Sequence, residues 1–284
     1  MSQNPSQAPV LENEAGLVDS HDLLRRAPQG PGQRRRVRIP LALIGPVLML
    51  GLWWVAASAD LVSEKLLPGP VETLTSLWTS LLSGEMLLDI GPTLLRTVYA
   101  FLIAAGIGIP IGVILGSSAK LYRTMEFVID FFRSTPVTAV FPLFLLIFGI
   151  GDAAKISVAA FAAGLIVLFN VAYGVMSARQ TRIMASKVMG ASRTRILKDV
   201  MFFESLTQTF VGLRTGVSIA LVVIIVAEMF IGSDSGMGHR IIDAQQVYDL
   251  TDMYSSILVT GAIGYGFNRM FLALDRRLIH WAGH

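Results

Sequence analysis

The sequence predicts an all-α membrane protein with six transmembrane helices and both termini on the cytoplasmic side. Three observations predict it. Of 284 residues, 53% are hydrophobic and only 15% carry charge. An ordinary soluble domain carries about 25%, so much of this surface is expected to face something other than water. Apolar runs of roughly 20 residues recur, the length that crosses a hydrocarbon core. Lipid offers no hydrogen-bond partner to an open backbone, so such runs must be helical. Finally, the connecting segments alternate between basic and acidic, and basic segments mark the cytoplasmic side.

The elements follow in order. Residues 1–33 are polar and rich in Pro, Gln, Ser and Gly, the composition of a disordered cytoplasmic tail. They lack the apolar core of a cleaved signal, and the basic cluster Arg34, Arg35, Arg36 and Arg38 comes after them. One transmembrane domain is expected over residues 34–281. Its first span is placed at residues 39–58. Residues 59–92 hold Asp60, Glu64, Glu72, Glu85 and Asp89 against Lys65 alone. Within them Pro68, Gly69 and Pro70 make a rigid turn. Val71, Leu74, Leu77, Trp78, Leu81 and Leu82 then recur at helical spacing, which predicts an amphipathic helix at the outer interface.

The second span, 93–116, is joined through Lys120 and Arg123 to the third, 127–150. The fourth is 153–177. Residues 179–208 then form a basic loop with Arg179, Arg182, Lys187, Arg193, Arg195 and Lys198. The fifth span is 210–231. The next connection, 232–252, holds Asp234, Asp243, Asp249 and Asp252 against Arg240 alone. The last span, 253–274, is followed by Arg276 and Arg277. Every basic segment thus falls on one side and every acidic one on the other.

Several functions are excluded. There is no cysteine, hence no disulfide, thiolate metal site or cysteine nucleophile. His21, His239, His280 and His284 show no metal-ligand spacing. No glycine-rich phosphate loop ending in Lys-Ser or Lys-Thr occurs, so the chain is not its own ATPase. No cofactor is expected in this chain. Its pI near 9.3 reflects basic loops, and no nucleic-acid partner is expected. A membrane-embedded enzyme would need several polar catalytic groups within the spans, and only Glu228 and Asn170 are expected there. An ion-coupled secondary transporter remains the alternative class. It would more naturally show inverted repeats and buried ionisable residues.

The 179–208 loop is too structured for a linker. Gly190 separates two helical stretches, and Ser192 is placed to cap the second near Arg193. Met184 and Val188 lie four apart on the first stretch. Ile196, Leu197, Val200 and Met201 form an apolar face on the second, opposite Arg193, Arg195, Lys198 and Asp199. The small residues Gly190, Ala191 and Ser192 would let another surface approach closely. On the residues alone, an ordinary basic loop and a docking platform both fit.

The loop resembles the coupling loop of ABC-importer permeases, the inner-membrane subunits of binding-protein-dependent transport systems. That signature begins Glu-Ala-Ala, reaches a glycine, and continues to Ile or Leu and Leu-Pro. Here the matching positions are Met184-Ala185-Ser186, then Gly190-Ala191-Ser192-Arg193 with Arg195, then Ile196-Leu197. Leu66-Leu67-Pro68-Gly69-Pro70, Leu94-Leu95-Arg96-Thr97, Gly108-Ile109-Pro110-Ile111-Gly112 and Phe148-Gly149-Ile150-Gly151 resemble stretches of the nitrate, taurine and alkanesulfonate permeases. So do Gly212-Leu213-Arg214, Ala227-Glu228-Met229 and Gly236-Met237-Gly238. The likeness runs over about residues 39–281. Two positions depart from the signature: its acid is Met184 here, and its Leu-Pro is Phe202-Phe203, with a later proline replaced by Thr207. A hydrophobic contact through Met184 is expected in place of an ionic one, and a second helix that runs longer and straighter without the proline.

The resemblance implies a type I ABC-importer permease fold. It implies two ATPase subunits, carrying ATP and Mg, docked on residues 181–203. An extracytoplasmic substrate-binding protein would deliver solute to loops around 66–88 and 233–252. The partner within the bilayer is a second copy of the permease or a different permease. The solute is a small anion, such as a sulfonate, taurine, nitrate or an organic or aromatic acid. The resemblance also places Arg133, Ser134, Thr135 and Pro136 along the central path. Pro136 and Pro142 are expected to loosen the third helix there, with Ser134 and Thr135 satisfying the freed carbonyls. Asn170 and Glu228 are further path candidates. Asn170 equally suits a contact between helices. Glu228 is expected to pair with a neighbouring helix, an arginine before an anionic solute, or else to gate the path. Gly106, Gly108, Gly112 and Gly116 suit close helix packing.

Overall fold

The computed structural model describes residues 41–59 and 66–278. The 1–33 tail and the cluster Arg34–Arg36 with Arg38 lie outside them. Among the described residues all regular structure is helical. The chain divides into two units between Met49 and Leu50, within its first helix. The second unit holds every later helix.

Helix α1 is Leu41–Ser58. The Pro68 turn leads to α2, Pro70–Leu82, with proline in its first turn, where its missing N–H is not needed. Trp53 donates to the Pro68 carbonyl at 3.2 Å and stacks on Tyr254. Helix α3, Glu85–Gly116, begins well before the expected residue 93 and carries Pro92 and Pro110 inside it. Helix α6, Asp152–Met176, lies where the fourth span is placed. Among the described residues, four helices are long and apolar enough to cross a membrane: Glu85–Gly116, Asp152–Met176, Arg193–Phe230 and Leu250–Arg277.

The expected third span, 127–150, is not one helix. Helix α4, Ala119–Ser134, is followed by a 3-10 turn, Val137–Val140, and by α5, Phe141–Phe148. The two halves are bent by 92°. The residue before a proline is pushed out of helical geometry, and Thr135 is extended at φ −77°, ψ 125°. Pro142 falls in the first turn of α5, where a proline is tolerated. The prolines therefore divide this segment instead of loosening it.

The core is a stack of α3, α6 and α9, with α6 between the other two; α9 is Phe202–Phe230. Small residues make this stack close. Ala100 and Ala104 of α3 meet Val158, Ala159, Ala162 and Ala163 of α6 and Ala220, Ile224 and Ala227 of α9, all buried. One face of α3 continues as Gly108, Gly112 and Gly116. An added Cβ would lie 3.0, 2.7 and 2.6 Å from the carbonyl oxygens of Gly164, Leu168 and Ala172. Backbone-to-backbone approach of this kind replaces the hydrophobic drive that lipid removes. Gly106 is different: nothing lies within 4 Å of its would-be Cβ, so it takes no part in the packing.

After α9 come α10, Met237–Gln246, and α11, Leu250–Leu278. They join at Tyr248, whose φ of 59° lies in the left-handed region. Met86, Met237 and Val259 form a second small core between α3, α10 and α11, covered by Leu77 and Leu81 of α2.

Candidate functional site

The 179–208 segment is built as two helical arms on an elbow. Helix α7 is Gln180–Val188. Its inward residue, Ile183, is buried with Ala178 and Ile196, against Ala191, Val200 and Met201. Its other side is open: Met184 and Val188, with Met189 just past its end, are 64%, 89% and 85% exposed. Ala185 is also exposed, and the Ser186 hydroxyl donates back to the Arg182 carbonyl. Gly190 turns the chain with φ +78°, a conformation that resists any other residue, and open space surrounds it. Ser192 then caps helix α8, Arg193–Ile196, accepting from the Arg195 amide at 3.4 Å. Arg193 and Arg195 are exposed, and Arg195 reaches Asp199 one turn on at 3.3 Å.

No proline interrupts the second arm, and Arg193–Phe230 runs on as a helix of 38 residues. It is not wholly regular. Leu197–Met201 forms a π turn, in which the Phe202 amide donates to the Leu197 carbonyl. Such single turns inside α-helices recur at functional sites. Below it, Gly174 of α6 meets the Ser205 and Gln208 side chains, with room for no Cβ.

The path candidates do not form one cluster. The Arg133 guanidinium lies 4.7 Å over the Phe169 ring, a cation–π contact. Ser134 and Pro136 are exposed, and Thr135 returns its hydroxyl to the Phe131 carbonyl at 2.9 Å. Asn170 does not hydrogen-bond another helix. Its amide donates to the Ile166 carbonyl one turn back at 2.8 Å, while its Cβ fills the space left by Gly212 of α9.

Glu228 belongs to a different site, at the other end of α9. It is completely buried, and its partner is Arg96 of α3, whose Nη1 lies 2.7 Å from Oε1. Thr93 donates to the same carboxylate at 2.9 Å, and the Gly238 amide at 3.0 Å. Thr93 in turn accepts from the Met237 amide at 2.8 Å. Arg96 also donates to Asp152 of α6 and to the Ser235 carbonyl, both at 2.8 Å. Lys155, 2% exposed, donates to Ser233 at 2.9 Å and lies 3.6 Å from Asp152. Two cations and two carboxylates balance, and every buried oxygen of Glu228 is satisfied, the condition for a tolerable buried ion pair. A Cβ on Gly236 or Gly238 would collide with Glu228. The stretches around Arg96, Glu228 and Gly236-Met237-Gly238, far apart in sequence, therefore form one clasp.

This clasp corrects one expectation. Glu228 and Asn170 are not the only polar groups in the spans; Arg96 and Lys155 are buried there too. The readable signal was a lone arginine in one apolar run set against a lone acid in another. A second polar tie joins α3, α10 and α11: Arg240 meets Asp252 at 2.7 Å and Asp89 at 3.5 Å, and Asp89 also accepts from the Gly236 amide. Arg240 loses some of its basicity to burial, but the Asp252 and Asp89 carboxylates more than restore it, so its pKa is raised.

Residues 108–280 match the model of the binding-protein-dependent transport system inner membrane component, and the chain belongs to that family. A probable ABC transporter permease of Brucella melitensis is 32% identical over 247 residues, 87% of this chain and 99% of the relative. The taurine transport system permease of Escherichia coli K12 is 28% identical over 251 residues, 87% of this chain and 91% of the relative. Among solved structures, a chain of the MetNI methionine ABC transporter in an inward-facing conformation matches with TM-score 0.61 at 22% identity. That match covers 68% of this chain and 95% of the other, and it shows a shared fold.

Proposed function

We propose that this permease forms, with a second permease, the path of an ATP-driven importer for a small anion. Two ATPases dock from the cytoplasm on residues 181–203, and a substrate-binding protein delivers solute to the opposite, acidic face. The carrying observation is the exposed apolar patch Met184, Val188 and Met189 beside the Gly190 elbow. It sits on a segment rich in arginine and outside any apolar run, where lipid does not explain it. Exposed apolar patches in such places mark protein contacts. With Met184 where the family signature has an acid, the contact to the ATPase is hydrophobic, supported by Arg193 and Arg195 at the rim. The chain has no nucleotide site of its own, so the elbow is the route by which ATP energy enters. ATPase closure pushes on Gly190 and switches access from outside to inside. Taurine transport by the Escherichia coli relative supports an anionic solute; the binding protein makes the choice among sulfonates, nitrate and organic acids.

The test is co-purification: wild type and Gly190→Arg are each purified from native membranes and probed for a bound ABC ATPase. Wild type is expected to carry the ATPase, and the variant to lose it together with uptake. A wild-type protein that transports without any ATPase, driven by an ion gradient, would refute the reading.

A further inference from the structure

Helix α7 cannot cap itself. Its N-cap residue, Arg179, offers no side-chain acceptor, and its first turn has no acid. The first amides of a helix have no partner within it and need one from outside. Here that partner comes from the other arm of the loop. Glu204, in the first turn of α9, accepts from the Arg179 amide at 2.6 Å and from the Arg182 guanidinium at 2.8 Å. Its side chain is only 14% exposed. One carboxylate thus joins the point where the chain leaves α6 to the point where it enters α9. Immediately beyond lie the close contacts of Gly174 with Ser205 and Gln208. Between this pinned base and the free Gly190 elbow sits the π turn Leu197–Met201.

We propose that Glu204 is the positioning residue that makes the elbow a lever. The inference rests on the docking role proposed above for residues 181–203. A push on Gly190 can do two things. It can swing α7 about its junction with α6, and be absorbed within the loop. Or it can move both arms together and so turn α9. The Glu204 tie removes the first choice, because α7 cannot swing away from α9 while its first amide and Arg182 are held there. The acid that the family signature places at Met184 would face a partner; Glu204 faces its own chain and serves transmission, not docking.

The test uses the complete complex with its ATPase and binding protein in proteoliposomes. It compares wild type, Glu204→Gln and Arg182→Gln. Three quantities are read: ATPase retained on purification, ATP hydrolysed, and solute taken up. Glu204→Gln is expected to retain the ATPase and to hydrolyse ATP, while the ATP used per solute rises roughly tenfold, the effect of losing a charge-assisted hydrogen bond. Arg182→Gln removes only an exposed ion pair, its side chain being 61% exposed, and is expected to raise the ratio about two- to threefold. An unchanged ratio in Glu204→Gln with the ATPase bound overturns the proposal. So does a Glu204→Gln complex that loses the ATPase while Arg182→Gln leaves the ratio unchanged. A wild-type complex that holds no ATPase would instead strike the docking role itself.

Discussion

Replacing Glu228 should separate a buried ion pair from an exposed one within the same cluster. Glu228→Ala removes the 2.7 Å partner of an arginine whose side chain is 8% exposed. Breaking a buried pair by removing one member costs about 3–5 kcal/mol, because the other charge stays buried. The Gly238 amide and the Thr93 hydroxyl lose their acceptor as well, and an unsatisfied buried group costs about 1–3 kcal/mol. These losses share one carboxylate and do not add in full. Asp152 also remains 2.8 Å from Arg96 and holds part of its charge. The net is expected near the lower end of the pair term, about 3 kcal/mol. At about 2–4 °C per kcal/mol for a chain of this size, the melting midpoint should fall by roughly 6–12 °C. Glu228→Gln keeps the volume and one acceptor, and should lose about 1.5–3 kcal/mol. Asp152→Asn touches the same arginine, but the Asp152 side chain is 57% exposed, so its loss should stay below about 1 kcal/mol. The assay is thermal unfolding of the purified protein in one detergent. The reasoning fails if Asp152→Asn melts as low as Glu228→Ala, or if Glu228→Ala melts within about 2 °C of wild type.

Gly112→Val would drive a side chain into Leu168 and Val171 at 2.7 Å and should cost about 1–3 kcal/mol or more. Gly106→Val, facing open space, should stay within about 0.5 kcal/mol of wild type in the same melt. Ser192→Ala removes a long, exposed cap bond and should cost about 0.5 kcal/mol, seen as faster amide exchange in Arg193–Ile196. Gly190→Ala must adopt φ +78° at about 1–2 kcal/mol. It should weaken ATPase binding while leaving the melting of α3, α6 and α9 in place.

Local features were the legible ones. The Gly190 turn, the Ser192 cap and the close faces of Gly108, Gly112 and Gly116 each depend on residues within a turn or two, and spacing shows them. The break within the third span was not legible, because two prolines can kink a helix or end it, and the choice depends on what surrounds them. Thr135 is extended and α5 starts afresh at Phe141. The clasp was hidden by distance: Arg96 and Glu228 are separated by 132 positions, and no local pattern links them. Glu204 was hidden differently. In a basic loop it counts as one more charge, and only the fold shows that it caps a helix on the opposite arm.

The two ends of the Arg193–Phe230 helix are held in opposite ways. At 1.5 Å per residue its 38 residues span about 57 Å. One end carries the free Gly190 elbow, exposed apolar side chains and a π turn. The other end is held by Glu228 to α3 and to the α10 loop, and through Arg96 to α6, with glycines that admit no side chain. A helix fixed in this way cannot slide past α3 when its other end is pushed. A push at the elbow should therefore move α3, α6 and α9 as one body. An introduced cross-link tests this cleanly, because the chain has no cysteine of its own. The would-be Cβ of Gly164 lies 3.9 Å from the Ala104 Cβ, within the usual disulfide range of about 3.5–4.5 Å. In the paired variant Ala104→Cys, Gly164→Cys, oxidation would weld α3 to α6. Uptake by the reconstituted complex should continue after oxidation at close to the reduced rate. Uptake that stops on oxidation and returns on reduction would show that α3 and α6 must part during transport, and the single-body account would fall.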